Sequence, residues 1–376
     1  MSATGVLGAN NRIRIGIIGN GGRGQYLMSL AQQISGVEIV ALCDVYDVNA
    51  RQARQQAGGA PEIYSDHRRL LDRQDVDAVM IAPSDHWHAP ILIDAVRAGK
   101  DAYVEKPMTH HIAEGVEAVK AVRASGRIVQ VGVQRRSCPS LHAAKRDYVD
   151  SGVLGKIIQV RCVWDGNGWF RRTPPAGLTD KPAGLDWDRF CGPAPRRPFD
   201  PRRYFNWGAY RDYSTGQPGG VFSHLIDVVH WFTGDVKPRH AVAGGGVYWL
   251  RDGRDVPDTL TVIYEYGQGH SVTAQATQAS RNISRTEFFG VNGTLTIRHR
   301  FYSFTPIDAK APAKEYPVEP QPMDPPHVQN WIDCVRSRST PNADVVTGHY
   351  TAVACHMGNL ANEANRIMRW NQEWSV

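Results

Sequence analysis

At 376 residues, with 42% hydrophobic and 21% charged side chains, the chain is long enough for two domains and has the make-up of a globular protein. Its net charge of +6 comes from 43 basic residues interleaved with 37 acidic ones, with no basic tail and no RNA-binding signature, so nucleic acid is not an expected partner. Six scattered cysteines without C-x-x-C spacing exclude a zinc ribbon or a dense disulfide framework, and no apolar run reaches the length of a membrane span.

After a short polar lead, Met1 to Asn11, the first 136 residues alternate strand and helix. RIRIGIIGN (12–20) is an apolar strand running into glycines, and RGQYLMSLAQQI (23–34) has helical spacing. VEIVALCDV (37–45) is a second strand and VDAVMIAP (76–83) a third, followed by a helix at 89–99. DAYVEKP (101–107), a helix at 113–126 and RIVQVGVQ (127–134) complete the series. Continuous apolar strands between amphipathic helices mean a parallel sheet covered on both faces.

Beyond Arg136 the texture changes. A helix at 141–151 and a strand at 156–164 lead into a Gly-, Pro-, Arg- and aromatic-rich stretch, 165–218, too long for an ordinary connection. A helix at 221–234 and four alternating strands follow, with Asn292-Gly293 between two of them reading as a tight hairpin turn. Helices at 327–338 and 350–369 close the chain. The expected fold is therefore α/β: a Rossmann domain with a parallel sheet over 12–136, and an α+β domain with a large, mainly antiparallel open sheet over 137–376. The closing helices are candidates to pack back on the first domain.

The first strand meets G-x-G-x-x-G as Gly19, Gly21 and Gly24, with Asn20, Gly22 and Arg23 between them. Strand, glycines and helix in that order let backbone approach a pyrophosphate at a helix N-terminus. Asp44 ends the second strand 20 residues after Gly24, where a carboxylate binds a ribose 2′-hydroxyl. That favours NAD over NADP, whose 2′-phosphate Asp44 would repel; Arg23 and Arg51 are the residues by which NADP would be accommodated instead. The nicotinamide end lies beyond the strand C-termini, where two segments point. APSDHWHAP brings Pro83, His86 and His88, and VEKP brings Glu105 and Lys106. A lysine there can donate to a substrate hydroxyl and stabilise the developing alkoxide, with Glu105 orienting it and burial lowering its pKa. Gln134 and Arg135 end the last Rossmann strand and are expected to face the substrate. Trp169, Tyr204 and Trp207, with Trp187, Tyr210 and Tyr213, make 165–218 the expected substrate wall, since aromatic faces stack on the C–H face of a sugar. The doublet His110-His111 reads as solvated.

The combination of G-x-G-x-x-G, an Asp-terminated strand, P-x-x-x-x-H and E-K-P resembles the glucose–fructose oxidoreductase / inositol dehydrogenase (Gfo/Idh/MocA) family. LDWDRFCGPAP (185–195), YFNW (204–207), SHLIDVVHW (223–231) and 327–349 extend the likeness over essentially the whole chain. The resemblance implies a tightly held nicotinamide cofactor and sugar or cyclitol substrates. It also implies homodimers or homotetramers associating through the C-terminal sheet. It gives Lys106 and His224 catalytic roles and places Asp227 at the substrate as the second acid of a D-x-x-x-H-x-x-D segment, whose first acid is replaced here by Gly220. His224, Asp227 and His230 do not suggest a metal, because three-residue steps spread the two histidines about 120° apart round a helix.

The leading reading is an NAD-dependent oxidoreductase acting on a ring hydroxyl of a sugar, glycoside or cyclitol. The alternative is an NAD-dependent glycosidase working by transient C3 oxidation, elimination, water addition and re-reduction, for which Tyr204, Tyr210 or Tyr213 would supply an extra acid or base. A sugar sensor keeping only the Rossmann shell is a third. As the sequence stands the expected compartment is the cytoplasm; GVLGANNRIRIGIIG resembles the mature start of exported relatives, which makes a periplasmic protein with its signal removed the alternative.

Overall fold

A computed structural model describes residues 12–376 apart from 59, 167, 300, 309, 311 and 317–321 and the side chains of 169 and 315. The first unit runs β1 (Ile13–Ile18), α1 (Gly22–Ala31), β2 (Val37–Cys43), α2 (Asp47–Gln56), β3 (Glu62–Tyr64), α3 (His67–Leu71), β4 (Ala78–Ile81), α4 (His88–Arg97), β5 (Asp101–Val104), α5 (Ile112–Ser125) and β6 (Val129–Val131). Its six strands are parallel in the order β3-β2-β1-β4-β5-β6, which reverses between β1 and β4 and opens a crevice at their C-terminal ends.

The second unit comprises α6 (Pro139–Ala144), β7 (Ile157–Asp165), α7 (Trp187–Cys191), α8 (Pro201–Phe205), α9 (Ser223–Thr233), β8 (Pro238–Gly246), β9 (Thr259–Tyr266), β10 (His270–Thr277), β11 (Ile283–Gly290), β12 (Gly293–Arg298), β13 (Phe301–Pro306), β14 (Lys314–Tyr316), α10 (Asp324–Ser337), α11 (Val345–Ala364) and β15 (Met368–Arg369). Nine strands form the sheet β14-β13-β12-β11-β7-β10-β9-β8-β15, antiparallel except where β7 meets β10. Alternation is cleanest in β9, where Leu260, Val262, Tyr264 and Tyr266 are buried while Thr261, Ile263 and Glu265 are exposed. That pattern puts one face on α9 and α11 and leaves the other open.

One turn and several strands depart from the sequence expectation. The hairpin loop is Val291-Asn292, with Gly293 already paired to Gly290. Strands β3, β8, β13, β14 and β15 carry no pattern that singled them out. Helix α10 buries Val328, Trp331 and Ile332 against Ile15, Ile17, Leu27 and Tyr103, so a late helix covers one face of the first sheet. Among the described residues no helix is long and apolar enough to cross a membrane, and all six cysteines are buried and unpaired.

Candidate active site

The C-terminal ends of β1, β2, β4 and β5, the start of α9 and the 165–218 segment surround one cleft of about 740 Å³. The three glycines of the first turn meet different demands. Gly19 has φ +85°, and a Cβ there would lie 2.4 Å from Pro83 N. A Cβ on Gly24 would lie 1.9 Å from Gly19 O, so that glycine lets α1 close onto the turn. Gly21 and Gly22 have nothing within 4 Å of the added atom, which leaves room for a phosphate before the helix N-terminus. Asp44 closes the other side: its Oδ2 accepts from Asn20 N at 2.6 Å and its Oδ1 from Tyr46 N at 2.8 Å. Burial pushes its carboxyl up to about 6 against the pull of those donors. The Asn20 side chain is buried with its amide unpartnered, and neither it nor Gly24 lines the cleft.

Arg23 is committed elsewhere than to a phosphate. Its Nε donates to Glu105 Oε1 at 2.7 Å and its Nη1 forms an ion pair with Asp324 Oδ1 at 2.8 Å, tying α1, β5 and α10 together. Arg51 is held by Asp47. Burial works against the Glu105 charge, but the Arg23 guanidinium and the Lys106 ammonium outweigh it and hold the carboxyl below the ordinary range. Glu105 reaches the backbone N–H of Lys106, at 3.1 Å, rather than its ammonium. The ammonium instead donates to Gly220 O at 2.7 Å. Burial lowers the Lys106 pKa, with Glu105 and Asp85 pulling it back up.

His224 opens α9 one turn beyond Gly220, lines the cleft, and keeps a buried, unbonded Nδ1. Its ring lies 5.6 Å from that of Trp164, tilted by 31°. Burial and the nearby Lys106 and Arg135 charges drive its pKa well down, so it is neutral at pH 7. Gly220 explains its own identity: a Cβ would sit 2.4 Å from Phe170 Cζ, and Phe170 is fully buried.

Pro83, His88 and Gln134 line the cleft, His88 with its Nδ1 2.7 Å from Pro107 O. His86 does not; it is buried among Trp87, Phe190 and Tyr213, bonds Phe190 O, and is pushed down to about 3 by burial. Arg135 lies behind the wall, stacked 5.3 Å from Trp164 and bonded to Ser284. Asp227 is fully buried in an ion pair with Arg136 at 2.7 Å and faces no part of the cleft. Trp207 lines the cleft, and Tyr204 lines it near Asp44, Tyr46 and Asn49. Tyr210 and Tyr213 are buried with Trp187 and Phe190 in an aromatic core, and the Trp169 side chain lies outside the described residues. Of the doublet, His111 is exposed, while His110 is half-buried with its Nε2 2.8 Å from Arg211 O.

The aromatic core anchors the 165–218 segment over the first domain. Asp186 N donates to Val45 O at 2.8 Å, Asp47 N to Gly184 O at 3.1 Å, and Trp87 Nε1 to Phe190 O at 3.0 Å. Trp164, Tyr46 and Asp85 also line the cleft and carried no motif, although Trp164 ends a strand and Asp85 sits between the proline and the two histidines already noted.

A reversing parallel sheet, a glycine turn at a helix N-terminus and a carboxylate at the second strand define a dinucleotide-binding protein of the Rossmann class. Residues 13–133 match a family model described as an oxidoreductase family with an NAD-binding Rossmann fold, and residues 142–375 match its C-terminal alpha/beta domain. The chain belongs to this family, the Gfo/Idh/MocA oxidoreductases. It is 36% identical over 151 residues to an inositol 2-dehydrogenase of Gluconacetobacter diazotrophicus, covering 40% of this chain and 44% of that protein. It is 35% identical over 168 residues to inositol 2-dehydrogenase 2 of Saccharopolyspora erythraea, covering 44% and 49%. The chain thus spans about half the length of the curated relatives it matches. Among solved structures, a levoglucosan dehydrogenase in complex with NADH and levoglucosan superposes with a TM-score of 0.75 at 18% identity, over 96% of this chain and 100% of that one. An aldose-aldose oxidoreductase from Caulobacter crescentus, complexed with glycerol, gives the same values. At those identities the likeness speaks for the fold.

Proposed function

We propose that this protein is an NAD-dependent dehydrogenase that oxidises a ring hydroxyl of a sugar, glycoside or cyclitol. The observation that carries the reading is the meeting of Lys106 and His224 on the same cleft as the glycine turn and Asp44. Bound NAD would supply the hydride acceptor, held by Gly19, Gly21, Gly22, Asp44 and Pro83. His224, neutral at pH 7, takes the hydroxyl proton. Lys106, held by Gly220 O, donates to the same oxygen and offsets the charge that develops on it. Glu105 fixes the lysine backbone, and Trp164 and Trp207 give the cleft aromatic lining suited to a ring. The names of the relatives, inositol and levoglucosan dehydrogenases, support a cyclitol or sugar. NAD is preferred to NADP because Asp44 faces the ribose position while Arg23 and Arg51 are both taken by carboxylates.

The redox-neutral glycosidase reading rests on the glycine at 220 and has lost its extra tyrosines: Tyr210 and Tyr213 are in the aromatic core, and Tyr204 is at the ribose end. The deciding experiment offers inositol, levoglucosan and a panel of nitrophenyl glycosides with NAD or NADP, recording reduced nicotinamide and nitrophenol together. Reduced cofactor accumulating without nitrophenol is the expected result. Nitrophenol released with no net reduction would overturn the dehydrogenase reading. We also assign the open sheet face, with Ile263 46% exposed on it, as the surface through which copies of the chain associate.

A further inference from the structure

Gly220 removes the acid that would stand beside Lys106, yet the cleft holds another carboxylate. Asp85 follows β4, is 3% exposed, and lines the cleft with Lys106, Gly220 and His224. It is held from the protein side. Its Oδ2 accepts from Thr215 N at 2.9 Å, from Thr215 Oγ1 at 2.8 Å and, more distantly, from Ser214 Oγ at 3.5 Å. All three bonds fall on one oxygen, Oδ2. Thr215 abuts the next part of the wall: a Cβ on Gly219 would lie 1.7 Å from Thr215 Oγ1 and 2.9 Å from Pro107 Cγ. Gly220, the next residue, takes the Lys106 ammonium at 2.7 Å. Asp85, Thr215, Gly219-Gly220 and Lys106-Pro107 are therefore one continuous wall.

A buried carboxylate with only neutral donors is costly unless a cation lies near. Among the described residues no arginine or lysine forms an ion pair with Asp85 within 4 Å. Lys106 is bonded to Gly220, so the attraction between the two acts across the wall and not as a direct pair. We propose that Asp85 is the positioning carboxylate of this site, whose negative charge keeps Lys106 protonated beside the cofactor, the role that Gly220 leaves vacant.

The groups that face each partner agree with this. Around Lys106 stand Glu105, Arg23, His224 and Cys355. Glu105 acts on Lys106 too but shares its charge with Arg23, and His224 is uncharged, so Asp85 is the carboxylate near Lys106 that makes no ion pair of its own. On the Asp85 side stand His86, His88 and His110. His86 and His110 both lose their protons through burial, so neither competes with Lys106 for the carboxylate at neutral pH. Burial lowers the lysine pKa, and Glu105 and Asp85 are the two carboxylates that oppose this.

The proposal rests on the reading of Lys106 as the donor, and its test does not need a substrate. Trace acylation with acetic anhydride, scored peptide by peptide in full-length protein with NAD added, reads the protonation of Lys106 against the exposed Lys120. Asp85→Asn, which keeps the shape and an acceptor for Thr215, should lower the Lys106 midpoint by about one pH unit. Labelling below that midpoint then rises about tenfold, while Lys120 does not move. Asp85→Glu, which keeps the charge, should leave the midpoint near its parent value. If Asp85→Asn does not fold, Asp85→Ser is the second neutral variant, small enough to admit water to the Thr215 donors. An unmoved Lys106 midpoint in either folded neutral variant overturns the proposal. Where turnover is found with the probes above, the alkaline limb of kcat should shift down with the midpoint and KM should change little. A uniform loss of kcat without a shift would mean a merely structural Asp85 and would also overturn it. If no probe is turned over, the labelling still decides Asp85, so the two failures are distinguishable.

Discussion

Gly220→Ala is a one-methyl perturbation with a cost that can be worked from distances. The added Cβ would lie 2.4 Å from Phe170 Cζ and 3.1 Å from its Cε2. Carbon atoms rest at about 3.5–4.0 Å, so the ring must give by roughly 1 Å. It has little freedom to do so, because Phe170 is fully buried and its carbonyl accepts from Arg254 Nη2 at 2.5 Å. Overpacking of this kind costs about 1–3 kcal/mol. The same strain moves Gly220 O away from Lys106, so turnover should fall along with stability. Urea unfolding followed by tryptophan fluorescence measures the first effect and reduced-cofactor formation the second. Phe170→Leu opens the space, and in the double variant the two costs should fall short of their sum by about 1 kcal/mol or more. A Gly220→Ala protein within about 0.5 kcal/mol of the parent, or strictly additive costs, would refute the reasoning. The same packing forbids simply restoring an aspartate at 220: it would need a smaller residue at 170 first.

Asp44→Ala should weaken NAD binding by about 10- to 100-fold, the loss of charge-assisted bonds worth about 1.5–3 kcal/mol, as read by titrating protein fluorescence. Because burial places the Asp44 carboxyl at about 6, NAD affinity in the parent should decline as pH falls through that value, and a flat titration from neutral pH to pH 5 would contradict the ribose assignment. Glu105 sits below its ordinary 4.5, so it contributes stability above about pH 4.5 that is lost as pH falls through its folded value. Arg23→Gln leaves burial to dominate, raises that pKa and reverses the slope, so the variant should lose stability as pH rises, by about 3 kcal/mol at neutral pH; urea midpoints at pH 5 and 7 check the sign. Ile263→Asp should lower the mass found by sedimentation without changing the melting temperature, if the open face joins copies of the chain.

What was legible follows from how local each signal is. The glycine turn, Asp44 and the E-K-P lysine are read from single segments, because a strand end or a helix start dictates its own residue types within about ten positions. The long central strands showed for the same reason, while the three residues of β3 are too few to show a period. Helix α10 displayed an apolar face, but amphipathicity does not say which sheet that face meets, and Trp331 meets Tyr103. The site failed to read where it is assembled across the chain. Lys106 finds Gly220 over a separation of 114 residues, and Asp85 finds Thr215 over 130. No spacing records such a meeting. Asp227 makes the point from the other side: it shares α9 with His224, nearly one turn further along, yet it pairs with Arg136 away from the cleft. A motif fixes residue types along one segment, and only the second segment decides which of them reach the substrate. That is why the two histidines of APSDHWHAP drew attention while the aspartate beside them, pinned by Thr215 from the far domain, passed unnoticed although it lines the cleft with His88 and Lys106.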